Sequence, residues 1–240
     1  IKKIIDGKNS AIIIKKFLKK EDCKKIIRKI SSMNIERDSN KFNHIGPFLM
    51  NYTTKKEKYF QNAEKANQVF KKIFSNVENP VNKIKTTISK IFPDYKISGI
   101  RENQRNYALC TIRRHENGKS IPLHKDNVSY EGVEYEVSKI NTQLSCILHL
   151  QETEKGGNLS IYNKRWKKKL EKYREIEFGY NSNIKKKSLS DTIETKLGDL
   201  VIINPNYLHE VKEIQGISDR VTLGMFFGIE NKTKKIFFWA

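Results

Sequence analysis

Two histidines and one aspartate form the pattern in this 240-residue sequence that is most specific for chemistry. His124 and Asp126 are separated only by Lys125, and His209 follows after a long interval. In a strand or an extended turn, side chains two positions apart project to the same side, so His124 and Asp126 can face one metal ion. Two imidazoles and one carboxylate, with three open positions, are the ligands that non-haem iron(II) oxygenases use. We therefore predict that these residues bind iron(II), with His209 reaching the metal from a facing strand.

A cation and a hydroxyl group accompany these candidate metal ligands. Arg220 lies eleven positions after His209, and Thr222 lies two positions beyond Arg220. We expect both to project from one face of a strand that runs antiparallel to the strand of His209 and neighbours it. A guanidinium can bind the far carboxylate of 2-oxoglutarate through two hydrogen bonds, and a threonine hydroxyl can add another. Since a His-x-Asp triplet alone is common by chance, Arg220 and Thr222 carry much of the specificity.

Helices dominate the first part of the chain, after a predicted strand at 11–14. Apolar residues recur there at three- and four-residue spacing, which is typical of helices with one buried side. The predicted helices lie at about 21–32, 57–76 and 81–91. The third follows Pro80 and ends before Pro93, because proline interrupts helical hydrogen bonding. We expect residues 1–95 to form a mainly helical part.

Short strands dominate the rest of the chain. From about residue 97 the sequence changes to short β-type runs separated by turn residues. The predicted strands lie at 107–113, 141–150, 158–162, 199–203, 209–214 and 220–229. Many short strands in one chain indicate a closed barrel or a two-sheet jelly roll. We expect a single domain over 1–240, with its β core at 96–230, a charged insertion at 163–196 that forms a lid, and a C-terminal segment at 231–240.

Four segments resemble the 2-oxoglutarate- and iron(II)-dependent oxygenase superfamily, and they occur in that superfamily's order. They are IPLHKD (121–126), GGNL (156–159), GDLVII (198–203) and HEV (209–211). They resemble the approach to the first two ligands, the double-glycine turn that opens a strand, and the strand and turn before the distal histidine. The resemblance implies an α+β, mainly β fold: a double-stranded β-helix (jelly-roll, cupin-like) core with N-terminal helices packed on one sheet. It also implies Fe(II) as cofactor, and 2-oxoglutarate and O2 as cosubstrates.

A narrower resemblance concerns the prolyl-hydroxylase-like branch and its halogenases of free amino acids, nucleotides and indole alkaloids. Phe17 and Leu18 before a helix resemble the entry of the branch. The halogenase-like segments are IYNKRW (161–166), FGYN (178–181) and IFFW (236–239). In those halogenases Gly or Ala replaces the carboxylate ligand and leaves a position for chloride. This chain keeps Asp126, so the resemblance implies a hydroxylating member of that branch.

The predicted activity is hydroxylation of an unactivated C–H bond in a small molecule, with release of succinate and carbon dioxide. A free amino acid or a related metabolite is the expected substrate, because the narrower resemblance includes enzymes of free amino acids. The main alternative is a residue in a peptide or protein, since hydroxylases of polypeptides share this ligand pattern. A non-catalytic jelly roll that binds metal without turnover is a further class.

Residues near the ends of the predicted site could contact the substrate. Asn127 adjoins the metal ligands and Trp239 lies near the end of the chain, and each competes with a structural role in a loop or in the core. Arg113 and Arg114 also lie near the ligand segment. We expect both arginines to pair with acidic groups at the surface rather than with an anionic substrate.

The formal net charge of +20 raises the question of a nucleic-acid partner. Lysines are scattered from Lys2 to Lys235 rather than grouped, which favours a solvated surface. In the alkylated-base demethylases a second arginine follows the first with five residues between them, and Phe226 stands at that position here. We therefore do not expect a nucleic-acid partner.

The cysteines and the apolar runs bear on location. Cys23, Cys110 and Cys146 show no close pairing, which favours free thiols in a reducing cytoplasm over a disulfide framework or a zinc site. The apolar run at 11–14 is far too short to span a membrane. We expect a cytoplasmic protein with no membrane partner.

Overall fold

The strands that carry the candidate residues belong to two different sheets. The computed structural model describes residues 1–32, 36–37, 43–186 and 188–240. The α-helices are α1 (Lys2–Ile5), α2 (Lys20–Ser31), α3 (Lys56–Ile73), α4 (Pro80–Ile91) and α5 (Val128–Glu131). Short 3₁₀ helices lie at Leu49–Tyr52, Glu136–Lys139, Lys168–Tyr173 and Ser182–Lys185.

The strands follow in chain order. The first are β1 (Ala11–Ile14), β2 (Glu36–Arg37), β3 (Asn43–Ile45), β4 (Lys96–Gly99), β5 (Arg101–Glu102), β6 (Arg105–Asn106), β7 (Thr111–His115), β8 (Ile121–His124) and β9 (Thr142–Gln151). The others are β10 (Lys155–Gly156), β11 (Leu159–Arg165), β12 (Ser190–Ile193), β13 (Leu200–Ile203), β14 (Tyr207–Val211), β15 (Ile214–Gln215), β16 (Arg220–Glu230) and β17 (Lys235–Trp239).

The N-terminal helices cover one face of the larger sheet with their apolar sides. In α2, the buried residues Cys23, Ile26 and Ile30 recur at helical spacing, and the helix packs against β9. Pro80 occupies the first turn of α4, where its missing N–H removes no helical bond, and the Asn79 side chain caps this helix. The three predicted helices are confirmed, with ends that differ from the prediction by at most three residues.

The larger sheet has one face for the helices and one for the site. Among the described residues it contains nine strands, in the order β1-β13-β9-β16-β7-β3-β2, with β17 beside β16 and β4 beside β17. Along β9, Cys146 and Leu148 join the core under the helices, whereas Ile147 packs on the opposite side. This alternation leaves the inner face of β9, β16 and β7 turned away from the helices.

The smaller sheet, in the order β12-β11-β14-β8, lies across that inner face. Val201 and Ile203 of the larger sheet share an apolar cluster with Leu159, Ile161 and Val211 of the smaller one. The two sheets therefore face each other over a common apolar layer, as expected for a mixed α and β fold with extensive antiparallel sheet. No helix in the described ranges is both long and apolar enough to cross a membrane.

Some strand boundaries differ from the sequence expectation. The strand predicted at 107–113 lies at Thr111–His115, and the one predicted at 209–214 divides into β14 and β15. The segments 163–196 and 231–240 contain β12 and β17, which the sequence pattern did not predict. β12 is a mostly exposed edge strand, so it lacks the alternation of apolar residues that would reveal it.

Candidate active site

His124, Asp126 and His209 converge at one point on the smaller sheet. His124 ends β8, His209 lies in β14, and their Cα atoms are direct partners across the pair. One ligand atom from each of the three residues lies within 4.8 Å of the others, and all three residues are buried. His209 Nε2 is 3.7 Å from Asp126 Oδ2. These donors fit one iron(II) ion with open positions.

Hydrogen bonds to backbone carbonyls orient both imidazoles. His124 Nδ1 lies 2.8 Å from the Pro122 oxygen, and His209 Nδ1 lies 2.8 Å from the Tyr207 oxygen. A carbonyl oxygen can only accept, so each Nδ1 carries the proton and donates it. Nε2 is therefore the nitrogen of each ring that can bind a metal, and a second hydrogen bond of this kind is the usual way in which a protein orients a histidine ligand.

The ionisation of the group suits metal binding. Burial, with His209 nearby, lowers the pKa of His124 to about 4, so its imidazole is neutral near pH 7. Burial alone would raise the pKa of Asp126, but its contact with His209 and the nearby His124 and Arg113 lower that pKa to about 2. A neutral imidazole and an ionised carboxylate are the forms that bind metal.

The strand arrangement around the metal group differs from the sequence expectation. His209 is on the strand next to His124, not on a facing strand. Arg220 and Thr222 lie on β16 of the larger sheet, so their strand is not a neighbour of β14. The error has one cause: strand spacing along the chain does not say which sheet a strand joins.

Arg220 and Thr222 nevertheless face the metal group across a small inner cavity. This cavity of about 50 Å³ is lined by both residues and by His124, Asp126 and His209. The Arg220 side chain is buried, and its Nε has no hydrogen-bond partner among the described residues. Burial lowers its pKa to about 10, with Glu152 acting in the opposite direction. A buried guanidinium with an unused donor fits the far carboxylate of 2-oxoglutarate.

The double-glycine turn predicted from GGNL lies against Arg220. Gly156 and Gly157 have φ of +74° and +67°, which favours glycine. A Cβ at Gly156 would collide with the backbone oxygen of Glu213, and one at Gly157 would lie 3.1 Å from Arg220 Cδ. Glycine here therefore lets two chain segments approach and leaves room for the arginine.

A larger outer cavity of about 370 Å³ also contacts His124 and Asp126. Its walls include residues before β7 and residues of the segment between β11 and β12, the region predicted to form a lid. Phe178 of that segment stands edge-on to the His124 imidazole, with ring centroids 6.0 Å apart. This cavity offers space for a substrate next to the metal group.

An ion-pair network joins the metal-ligand turn to the segment between β11 and β12. The Lys125 side chain, between two candidate metal ligands in the sequence, is fully buried in an ion pair with Glu131. Its ammonium also lies 4.8 Å from the centroid of the Trp166 ring. Arg174 bridges Glu131 and Glu171 at 2.8 Å each. The network therefore connects the residue between two metal ligands to the wall of the outer cavity.

The arginines of β7 divide between the surface and the site. Arg114 pairs with Asp219, as expected. Arg113 lines both cavities instead, so the prediction of a surface pair was wrong for this residue. The signal was present in the strand parity, because Thr111, Arg113 and His115 share a face that is opposite to that of the core residue Ile112.

Asn127 and Trp239 occupy structural positions. The Asn127 side chain accepts a hydrogen bond from the Tyr130 N–H and caps α5. Trp239 is fully buried in an apolar cluster and pairs with Phe226 across β16 and β17. Neither is among the described residues that line the two cavities. We therefore carry neither forward as a substrate contact.

Comparisons with known proteins identify the family. The family model of the carrier-protein-independent halogenase WelO5 matches residues 1–240. A curated relative, leucinostatins biosynthesis cluster protein S of Purpureocillium lilacinum, is 27% identical over 181 residues, which cover 72% of this chain and 73% of the relative.

Solved structures show the same fold at low identity. An N-substituted L-amino acid dioxygenase of Burkholderia ambifaria AMMD, in complex with α-ketoglutarate, superposes with a TM-score of 0.66 at 16% identity, covering 98% of this chain and 89% of that one. HygX of Streptomyces hygroscopicus, with nickel and 2-oxoglutarate bound, has a TM-score of 0.57 at 9% identity, covering 96% and 87%.

The fold, the site and these likenesses together define a member of the 2-oxoglutarate- and iron(II)-dependent oxygenase superfamily. Within it, the chain belongs to the carrier-protein-independent halogenase family WelO5. Iron(II), 2-oxoglutarate and O2 are the cofactor and cosubstrates of that superfamily. The two imidazoles with one carboxylate suit the metal, and the buried Arg220 beside the inner cavity suits the diacid.

Proposed function

We propose that this chain is a dioxygenase that hydroxylates an unactivated C–H bond of a small molecule, such as a free amino acid or a related metabolite. One observation carries the proposal: the Asp126 carboxylate converges with the two imidazoles. When Asp126 binds the metal, it occupies the coordination position that is left for chloride in the halogenases. This distinguishes the chain from the halogenating activity that the family name describes.

Each residue has a role in the proposed reaction. His124, Asp126 and His209 hold iron(II), and Arg220 with Thr222 holds the far carboxylate of 2-oxoglutarate. When bound, iron(II), 2-oxoglutarate and dioxygen supply the oxidation, in which 2-oxoglutarate becomes succinate and carbon dioxide and one oxygen atom enters the substrate. The apolar layer between the sheets, which we interpret as a jelly-roll core, excludes water from this centre.

The small-molecule part of the proposal draws on the outer cavity and on the relatives. About 370 Å³ is the size of a pocket for a metabolite. The Burkholderia relative is a dioxygenase of N-substituted L-amino acids, and HygX has been solved with hygromycin B bound. The segment between β11 and β12 is proposed to close over the substrate as a lid.

Succinate formation tests the proposal. Enzyme reconstituted anaerobically with iron(II) and 2-oxoglutarate is exposed to oxygen with free amino acids, nucleotides and short peptides, in buffer with excess chloride. We expect a free amino acid or similar metabolite to stimulate succinate formation and to gain one oxygen atom by mass spectrometry. Stimulation by peptides alone would favour the protein-hydroxylase alternative, and a chlorinated product would refute hydroxylation.

A further inference from the structure

Arg113 lies where the two cavities meet. It lines both the inner and the outer cavity, and its guanidinium is 4.4 Å from the centroid of the Phe48 ring. A guanidinium that stacks on a ring through its face keeps the N–H groups of its edge for other partners. Arg113 is thus held by packing rather than by an acid, with donors at the boundary of the two cavities.

Arg113 forms no ion pair with the described acids that line the outer cavity, which include Glu177 at an exposed position. Within the described ranges, the arginine and lysine residues that line the outer cavity are Arg113, Lys125 and Arg174. Lys125 pairs with Glu131, and Arg174 pairs with Glu131 and Glu171. No such ion pair involves Arg113 in the part of the chain that the structure describes.

The acid that acts on Arg113 electrostatically is Asp126, a candidate metal ligand. A bound metal ion takes up the charge of that carboxylate, so Asp126 does not neutralise Arg113 in the loaded enzyme. A partly buried cation without a partner carries a desolvation cost that a ligand can offset by supplying the anion. Arg113 therefore favours the binding of an anionic group next to the metal site.

We propose that Arg113 binds a carboxylate of the substrate, so that the substrate class is carboxylic acids presented to the metal from the outer cavity. The inference rests on the proposed function and adds the group by which the substrate is recognised. 2-Oxoglutarate is the other source of a carboxylate, because Arg220 accounts only for its far carboxylate. Arg113 lines the outer cavity as well as the inner one, whereas Arg220 lines only the inner one, which favours the substrate as the partner of Arg113.

The neighbouring arginine provides a matched control. Arg113→Gln removes the cation of the site, whereas Arg114→Gln removes a cation one residue away that pairs with Asp219 outside it. Each variant is tested with free amino acids and with their carboxamides, which lack the charge. We expect wild type and Arg114→Gln to prefer the acid by about tenfold or more in KM, and Arg113→Gln to lose that preference. Arg113→Lys should restore part of it, because it keeps the charge but not the paired donors.

The affinities for the cosubstrate and the metal distinguish the other outcomes. The Kd of 2-oxoglutarate, measured anaerobically from the absorption band of its iron(II) complex, should change less than about twofold in Arg113→Gln. A large rise in that Kd with an unchanged acid preference would assign Arg113 to the cosubstrate and overturn the inference. Weaker iron(II) binding as the only defect would make Arg113 a positioning residue for Asp126, which also overturns it.

Failure of the proposed function is visible separately. If wild type forms no succinate with any compound, the dioxygenase proposal fails. Binding of the same acids and amides, measured by calorimetry, still tests Arg113 in that case. Equal binding in Arg113→Gln and Arg114→Gln would overturn the carboxylate assignment.

Discussion

The inner and outer cavities are built from different kinds of structure. The inner one takes its chemical groups from paired strands, with His124 and His209 in direct register and Arg220 on the facing sheet. The outer one takes several wall residues from the segment between β11 and β12, held by ion pairs such as Arg174 with Glu131. Strands fix geometry, whereas loops vary more readily. On the proposed function, the inner cavity therefore determines the chemistry of the reaction, and the outer cavity determines which substrate is accepted.

The largest effect is expected from a metal ligand in the inner cavity. His209→Gln removes one of three donors, so iron(II) binding should be lost and succinate formation should fall by about 10³-fold or more. His149→Gln is the control, because His149 is also buried but lies outside the converging group. Anaerobic iron(II) titration of both variants checks the prediction. Equal iron(II) affinity in the two variants would remove His209 from the ligand set.

The anchor for 2-oxoglutarate should give the next largest effect. Arg220→Gln removes a charge-assisted bidentate contact, so the Kd of 2-oxoglutarate should rise about 10- to 100-fold while iron(II) still binds. Arg165→Gln, at an exposed position on β11, is the matched control. An unchanged Kd in Arg220→Gln would mean that the diacid binds elsewhere.

In the outer cavity a smaller effect is expected, and it concerns the KM of the substrate rather than the binding of metal or cosubstrate. Arg174→Gln breaks the bridge between Glu131 and Glu171, which are partly exposed, so the KM of the stimulating compound should rise about three- to tenfold. The Kd of 2-oxoglutarate should stay within about twofold. Lys172→Gln, a neighbouring exposed position, serves as control. If the cosubstrate Kd rose instead, the two cavities would not be separable in function.

The smallest effect is expected at Asn127. Asn127→Ala removes the cap of α5, which should lower the free energy of unfolding by about 1 kcal/mol and leave turnover within about twofold. Chemical denaturation and steady-state kinetics measure the two quantities. A large rise in substrate KM without loss of stability would return Asn127 to the substrate contacts and extend the outer cavity.

The same comparison explains how much the sequence could predict. The His-x-Asp triplet was predicted from local spacing, and the distal histidine and the arginine from their spacing to each other and from the order of the four resembling segments. The structure brings all of them to one cavity. The sequence did not predict which sheet carries Arg220, because sheet membership depends on pairing between distant segments. It also did not predict the bridge between Arg174 and Glu131, whose partners are 43 residues apart. The alternation of side chains along β7 indicates that Arg113 faces the site, but a surface ion pair was predicted for it instead.

The most direct test of the central claim is an anaerobic iron(II) titration of wild type and Asp126→Ala, with Asp94→Asn, at an exposed position, as the control. We predict one iron(II) per chain in wild type and in the control, with an absorption band when 2-oxoglutarate is added. In Asp126→Ala we predict iron(II) affinity at least about tenfold weaker. Iron(II) affinity equal to wild type in Asp126→Ala would contradict the three-residue metal site.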